Sequence, residues 1–158
     1  MAYYLFNFVS NGDGTPAASR EKATLDLRAR MWGVDPSERL HDALAPGDVV
    51  VLYVGAPDWK FIGRAELASA VHRWTPSEAR AYTGEALGGV LLAEVEEWDP
   101  AVPMASVLSE IAKAVPPPMP GERGARADYE EGVIRIRADE YKIVIAVARG
   151  GRGNAEPN

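Results

Sequence analysis

Three of the four tryptophans stand where the chain changes direction and not inside its apolar runs. Trp32 follows Arg28-Ala29-Arg30-Met31 and precedes Gly33, Trp59 lies between Asp58 and Lys60 in VGAPDWKFIG, and Trp74 is flanked by Arg73 and Thr75-Pro76. A flat indole at a loop end can stack an unpaired nucleobase, worth about 1–3 kcal/mol per base. Polar neighbours such as Ser10, Asn11 and Asp58 can then read the edge of that base. Arg28, Arg30, Arg64, Arg73 and Arg80 lie near these aromatics in sequence and would supply phosphate contacts if they share a face. The alternative is that the indoles cap a hydrophobic core from its rim, as large aromatics often do. Trp98, between EVEE and DP, reads as a core residue.

Other chemistries find less support. Glu94, Glu96, Glu97 and Asp99 cluster, and paired carboxylates can do acid–base work. The alternation in VLLAEVEEW, however, puts Glu94 and Glu96 on one outward face, a solvated edge. Asp128, Glu130 and Glu131 read the same way. There is no cysteine and no G-x-S-x-G elbow. His41, on the exposed side of a short helix, and His72, beside Arg73 in a loop, are too scattered for a zinc site or a triad. These residues describe a binding domain and not an enzyme, with no metal or cofactor expected.

The elements that must position the tryptophans follow from pattern and punctuation. YYLFNFV (3–9) is a strand that runs into the turn cluster SNGDGTP. Ser19 to Met31 reads as a helix with Ser19 as N-cap, stopped by Trp32-Gly33. DPSERLHDAL (35–44) offers a second helix, with Asp35 as N-cap and Pro36 at its first position. Pro46-Gly47-Asp48 turns into the strand VVVLYV (49–54), and FIGRAELAS is its antiparallel partner, with Gly63 marking a bulge or a close approach. Thr75-Pro76 opens a short helix, and residues 88–98 form a strand with Val90, Leu92 and Val95 facing inward. Residues 103–114 form a helix with a core stripe of Met104, Val107, Leu108 and Ile111. PPPMPGERGARA is irregular, GVIRIR is a strand, and a helix starts at ADEYKIVIA. The expected organisation is one domain over 1–148 and a flexible tail or linker over 149–158. Strict βαβ alternation and a glycine-rich phosphate loop are both missing, so the class is α+β with a small, mostly antiparallel curved sheet or barrel.

Composition agrees with a globular chain. Of 158 residues, 47% are hydrophobic and 25% charged, enough for a sizeable core. No apolar run reaches 18 residues, so no membrane span is expected. MAYYLFNFVS lacks a basic leader, and the absence of cysteine suits a reducing compartment, so a cytoplasmic protein is expected. The net charge of −6 argues against indiscriminate nucleic-acid binding but is compatible with a local basic face.

YYLFNF, RARMWGV and LAPGDVVVLYVGAPDWKFIGRAELAS, with GVLLAEVEEWDPAVPM and ADYEEGVIRIRADEYKIVI behind them, resemble in order an EVE domain of the PUA-like superfamily. The resemblance covers roughly residues 3–147. It implies a PUA-like curved antiparallel β-barrel with surrounding short helices and a pocket for a flipped, modified base. Bacterial EVE domains are linked to modified cytosine in DNA, some as specificity parts of modification-dependent restriction enzymes, while the related YTH domains read methyladenine in RNA. By this resemblance Trp32 is the pocket tryptophan, and Ser10 and Asn11 lie in the pocket-lining loop after the first strand. Asp58 and Trp59 lie in the hairpin loop, and Tyr129 precedes GVIRIR where an aromatic is common. Tyr53 and Trp74 complete the candidate base-binding set; Arg28, Arg30, Lys60, Arg64 and Arg73 are the candidate phosphate ligands. The expected partner is double-stranded DNA carrying 5-methyl- or 5-hydroxymethylcytosine, with a nuclease in a further domain or partner. Related ASCH domains, some of them hydrolases of modified pyrimidines, carry G-x-K-x-x-E-x-R. FIGRAE has Gly63 and Arg64 without the lysine or the matching acid and arginine, which leaves a hydrolase of ASCH type, or a reader of modified RNA, as the second reading.

Overall fold

VVVLYV is apolar throughout because its strand is buried at all six positions, with a core on each face of the sheet. A computed structural model describes residues 1–8, 16–38, 40–55, 59–82, 84, 86–114 and 132–153. In chain order these form β1 (Tyr3–Phe8), α1 (Pro16–Ala29), β2 (Met31–Gly33), a 3-10 turn (His41–Ala43), β3 (Val49–Val54), β4 (Lys60–Leu67) and β5 (His72–Arg73). There follow α2 (Pro76–Ala81), β6 (Gly88–Pro103), α3 (Met104–Ala114), β7 (Val133–Ile136) and α4 (Ala138–Gly153). The strands make one sheet in the order β2-β6-β4-β3-β1-β7, with β5 also paired to β6. Among the described strands only β1 and β3 run parallel, from Tyr3 opposite Val49 to Phe8 opposite Val54; the other pairs are antiparallel.

Side-chain alternation divides the core in two. Tyr4 and Phe6 of β1 and Val50, Leu52 and Val54 of β3 face one cluster, which α1 covers with Ala23 and Leu27. Leu5, Val51 and Tyr53 face the other, beneath Val107 and Ile111 of α3 and Val144 and Ala148 of α4. Register slips between Leu52 and Tyr53, between Phe61 and Gly63, and between Arg64 and Glu66 bend the strands, and the sheet curls into a half-barrel. Gly63 serves both expected purposes. It sits at a slip, and a Cβ there would run into the Glu96 carbonyl.

The Thr75 capping box opens α2 as expected, and α3 buries Val107 and Ile111 of its predicted stripe. Four expectations need correction. The first helix begins at Pro16, so Ser19 lies within it, and it ends at Ala29 with Arg30 in the left-handed region at φ 61°. Trp32 and Gly33 belong to a strand, because their backbone pairs with β6. The predicted helix over 35–44 is a turn in which Asp35 Oδ1 accepts from Ser37 N and Oγ, followed by the single 3-10 turn. Residues 149–153, read as tail, continue α4 to Gly153. The segments SNGDGTP, before Pro16, and PPPMPGERGARA lie outside the described residues.

Candidate nucleic-acid interface

The strand β6 opens with Gly88 and Gly89, and two other strands close on them from opposite edges. Gly89 pairs with Gly33 of β2 on one edge and with His72 of β5 on the other; Val90 pairs with Trp32, and Gly88 with Arg73. A Cβ on Gly89 would strike the Trp32 carbonyl, and one on Gly88 the His72 carbonyl. Their bareness is what lets β2 and β5 approach. Trp32 and Trp74 are thereby set on either side of one glycine pair.

Both indoles are held by their neighbours. Trp32 is 5% exposed, with Phe6 stacked at 6.3 Å and Phe8 edge-on at 6.2 Å. Trp74 is 8% exposed; its Nε1 donates to the Ala86 carbonyl and its backbone N to the Leu87 carbonyl, both at 3.0 Å. The ring of Tyr82 lies 5.0 Å from that of Trp74, and its hydroxyl abuts Gly33, beside Trp32. Burial, with the negative charge of Asp26 as a second cause, pushes the Tyr82 hydroxyl up to about 12, so it keeps its proton as a donor. Asp26 is itself buried on α1. Neither Tyr82 nor Asp26 was singled out from the sequence. Tyr82 caps a six-residue helix of ordinary composition, and no local pattern says that it folds onto Trp74 with its hydroxyl against Gly33.

His72 packs edge-on against Trp74 at 5.7 Å and bonds the Glu78 carboxylate through Nε2 at 2.9 Å. The Ala70 carbonyl at its Nδ1 and the Glu78 charge hold His72 above the ordinary imidazole range. The Thr75 backbone N–H, donating to Glu78, and the His72 contact hold Glu78 below the ordinary carboxylate range. This histidine braces Trp74 and α2.

A concavity of about 230 Å³ lies between α1 and the strands β4 and β6. Arg20, Thr24 and Arg28 line one wall, since residues four apart share a helix face. Lys60, Ile62 and residues Glu97–Ala101 line the other. Arg28 makes a bidentate pair with Glu97, Nε to Oε1 at 2.6 Å and Nη2 to Oε2 at 2.9 Å. Asp26 sits roughly 200° around the helix from Thr24, so α1 separates this cleft from the aromatic cluster.

The structure thus sorts the candidates. Trp32 and Trp74 come from segments on the two edges of β6, each indole with its own ring neighbours, and Arg28 and Lys60 both line the cleft. Arg73 is exposed next to Trp74, and Arg30 is exposed at the end of α1. Trp59, 42% exposed at φ 52°, precedes Lys60 and accepts a bond from Met104 N through its carbonyl. Tyr53 is fully buried in the other cluster, its hydroxyl on Met104 Sδ at 2.8 Å. Arg64 bonds Tyr141 Oη and the Glu94 carbonyl on the face covered by α4. Ser10, Asn11, Asp58 and Tyr129 lie outside the described residues. β1 and β3 run parallel and in register, so Phe8 and Val54 lie at the same end of the sheet. The acidic cluster separates by face, Glu96 pairing with Arg149 and Glu97 with Arg28.

No protein-family model matches the chain, and no curated protein sequence matches it. Solved structures do. Rpa0253 from Rhodopseudomonas palustris superposes with a TM-score of 0.59 at 19% identity, covering 94% of each chain. Human THYN1, in complex with DNA containing 5-methylcytosine, superposes with a TM-score of 0.59 at 13% identity, covering 94% of this chain and 98% of that one. A point mutant of the ASCH protein from Zymomonas mobilis follows with a TM-score of 0.50 at 11% identity, covering 93% and 99%. The fold of the chain is PUA-like, the architecture that its resemblance to EVE domains implied.

Proposed function

We propose that this PUA-like chain is a reader of modified bases, taking 5-methyl- or 5-hydroxymethylcytosine flipped out of duplex DNA. The observation that carries the reading is the convergence of two tryptophan-bearing segments, one with Trp32 and one with Trp74 packed on Tyr82, at the bare Gly88-Gly89 backbone. The likeness in fold to human THYN1, whose structure holds DNA with 5-methylcytosine, supports it. Trp32 and Trp74 supply stacking surfaces and Tyr82 a protonated donor for the base edge. Both indoles are covered in the free chain, Trp32 by Phe6 and Phe8 and Trp74 by Tyr82, so these rings have to part to admit a base. Ser10, Asn11 and Asp58 are the proposed edge readers. Arg28, Lys60 and Arg73, with Arg30, hold phosphates, and Trp59 borders the nucleic acid. Tyr53 and Arg64, engaged on the other face, take no part. Any nuclease activity belongs to another domain or partner.

The test is binding of short duplexes with and without 5-methyl- or 5-hydroxymethylcytosine at two salt concentrations. A preference for modified duplex is expected, and equal affinity for modified and plain DNA ends the reading. Turnover of free modified nucleosides would replace it with a hydrolase of ASCH type. Tighter binding of methyladenine RNA would make the chain an RNA reader.

A further inference from the structure

We propose that Leu87 is a wedge that enters the duplex as the target base leaves it. This rests on the base-flipping reading above and adds to it a group that fills the vacated stack. Among the described residues only Met1, Leu25, Trp59 and Leu87 are exposed large hydrophobics, and Leu87, at 71%, exceeds all but the terminal Met1. Its carbonyl and its two neighbours are employed in holding Trp74 and β5. The Leu87 carbonyl accepts from Trp74 N, the preceding Ala86 carbonyl accepts from Trp74 Nε1, and the following Gly88 pairs with Arg73. The fold therefore needs the main chain of this residue and leaves its side chain in water.

The position explains the leucine. Extruding a base opens a gap between its neighbours, and apolar side chains such as leucine can insert into unstacked steps. Trp74, whose indole is proposed to receive the base, donates its backbone N to the Leu87 carbonyl and its Nε1 to the adjacent Ala86 carbonyl, so wedge and pocket wall move as one piece. The exposed Arg73, paired with Gly88, provides a cation for a flanking phosphate. A single-stranded ligand has no gap to fill and gains nothing from the wedge.

Wild type, Leu87→Ala and Leu87→Met are compared on a duplex containing 5-methylcytosine and on the same modified strand alone, with 2-aminopurine beside the modified base to report unstacking. The alanine variant is expected to bind the duplex about tenfold more weakly, with a reduced 2-aminopurine signal, and to bind the single strand like wild type. The methionine variant, apolar and of similar size, is expected to restore duplex binding. Wild-type duplex affinity in Leu87→Ala overturns the wedge, as does an equal loss on duplex and single strand. If wild type itself binds modified and plain duplex equally, the reading beneath the wedge fails, and the wedge with it.

Discussion

The ring of Tyr82 lies 5.0 Å from that of Trp74 at a tilt of 45°, and its hydroxyl comes up against Gly33, the residue after Trp32. One phenol therefore touches both tryptophan-bearing segments. Tyr82→Phe keeps the ring and removes the donor. It should lose about 0.5–1.5 kcal/mol of preference for the modified duplex, the value of one hydrogen bond, with little change in melting temperature. Titration calorimetry with modified and plain duplexes reads this directly, and an unchanged preference would remove Tyr82 from base recognition.

Trp32 is packed by Phe6 and Phe8, so its truncation tests the core and the site together. Trp32→Ala should cost about 3–5 kcal/mol of stability as a large-to-small core change. Trp32→Phe retains a ring and should fold, while its weaker stacking lowers modified-duplex affinity by less than the roughly 1–3 kcal/mol of a full stack. A phenylalanine variant that folds and binds like wild type would confine Trp32 to the core.

Lys60 lines the cleft beside Arg28, whose guanidinium is already bidentate to Glu97. Lys60→Ala should weaken modified and plain duplexes alike and flatten the slope of log affinity against log salt by about 0.9, one phosphate contact. A change in the ratio between the two duplexes would instead assign Lys60 to base readout.

Gly89→Ala drives a methyl group towards the Trp32 carbonyl, with the Gly33 Cα also only 2.8 Å away, so β2 or β6 must shift. A loss of about 1–3 kcal/mol is expected, seen as a lower denaturant midpoint. Gly150→Ala, on α4 with nothing within 4 Å of the new methyl, should instead gain about 0.5–1 kcal/mol.

The His72–Glu78 pair makes stability depend on pH. The folded pKa of His72 is raised, so its contribution is complete below the unfolded value of about 6.5 and is lost as pH rises through the folded value. The folded pKa of Glu78 is lowered, so its contribution is complete above about 4.3 and is lost as pH falls through the folded value. The difference in stability between wild type and His72→Gln should therefore be largest between about pH 4.3 and 6.5. NMR titration should place the His72 midpoint above 6.5, and a midpoint below it would contradict the observed contacts.

Much of the architecture is determined locally and can be read from the chain. VVVLYV must be buried on both faces, Thr75-Pro76 with Glu78 must cap a helix, and the stripe containing Val107 and Ile111 must face a core. Each rests on interactions within a few residues, or on an apolar pattern that water alone enforces. The phosphate candidates Arg28 and Lys60 were legible as charges; that they face each other across a cleft was not. Arg64 and Tyr53 carried the same sequence signals as their neighbours, and alternation along β3 and β4 turned them to the other face. Trp32 looked like the end of a helix because a three-residue strand has no pattern of its own. Its conformation is set by pairing with Val90, fifty-eight positions away. Tyr82, Gly88 and Gly89 are ordinary residues until three segments converge on them. Sequence decides what each segment can bury, while which side chains share a pocket depends on long-range pairing, and that exists only in the folded sheet.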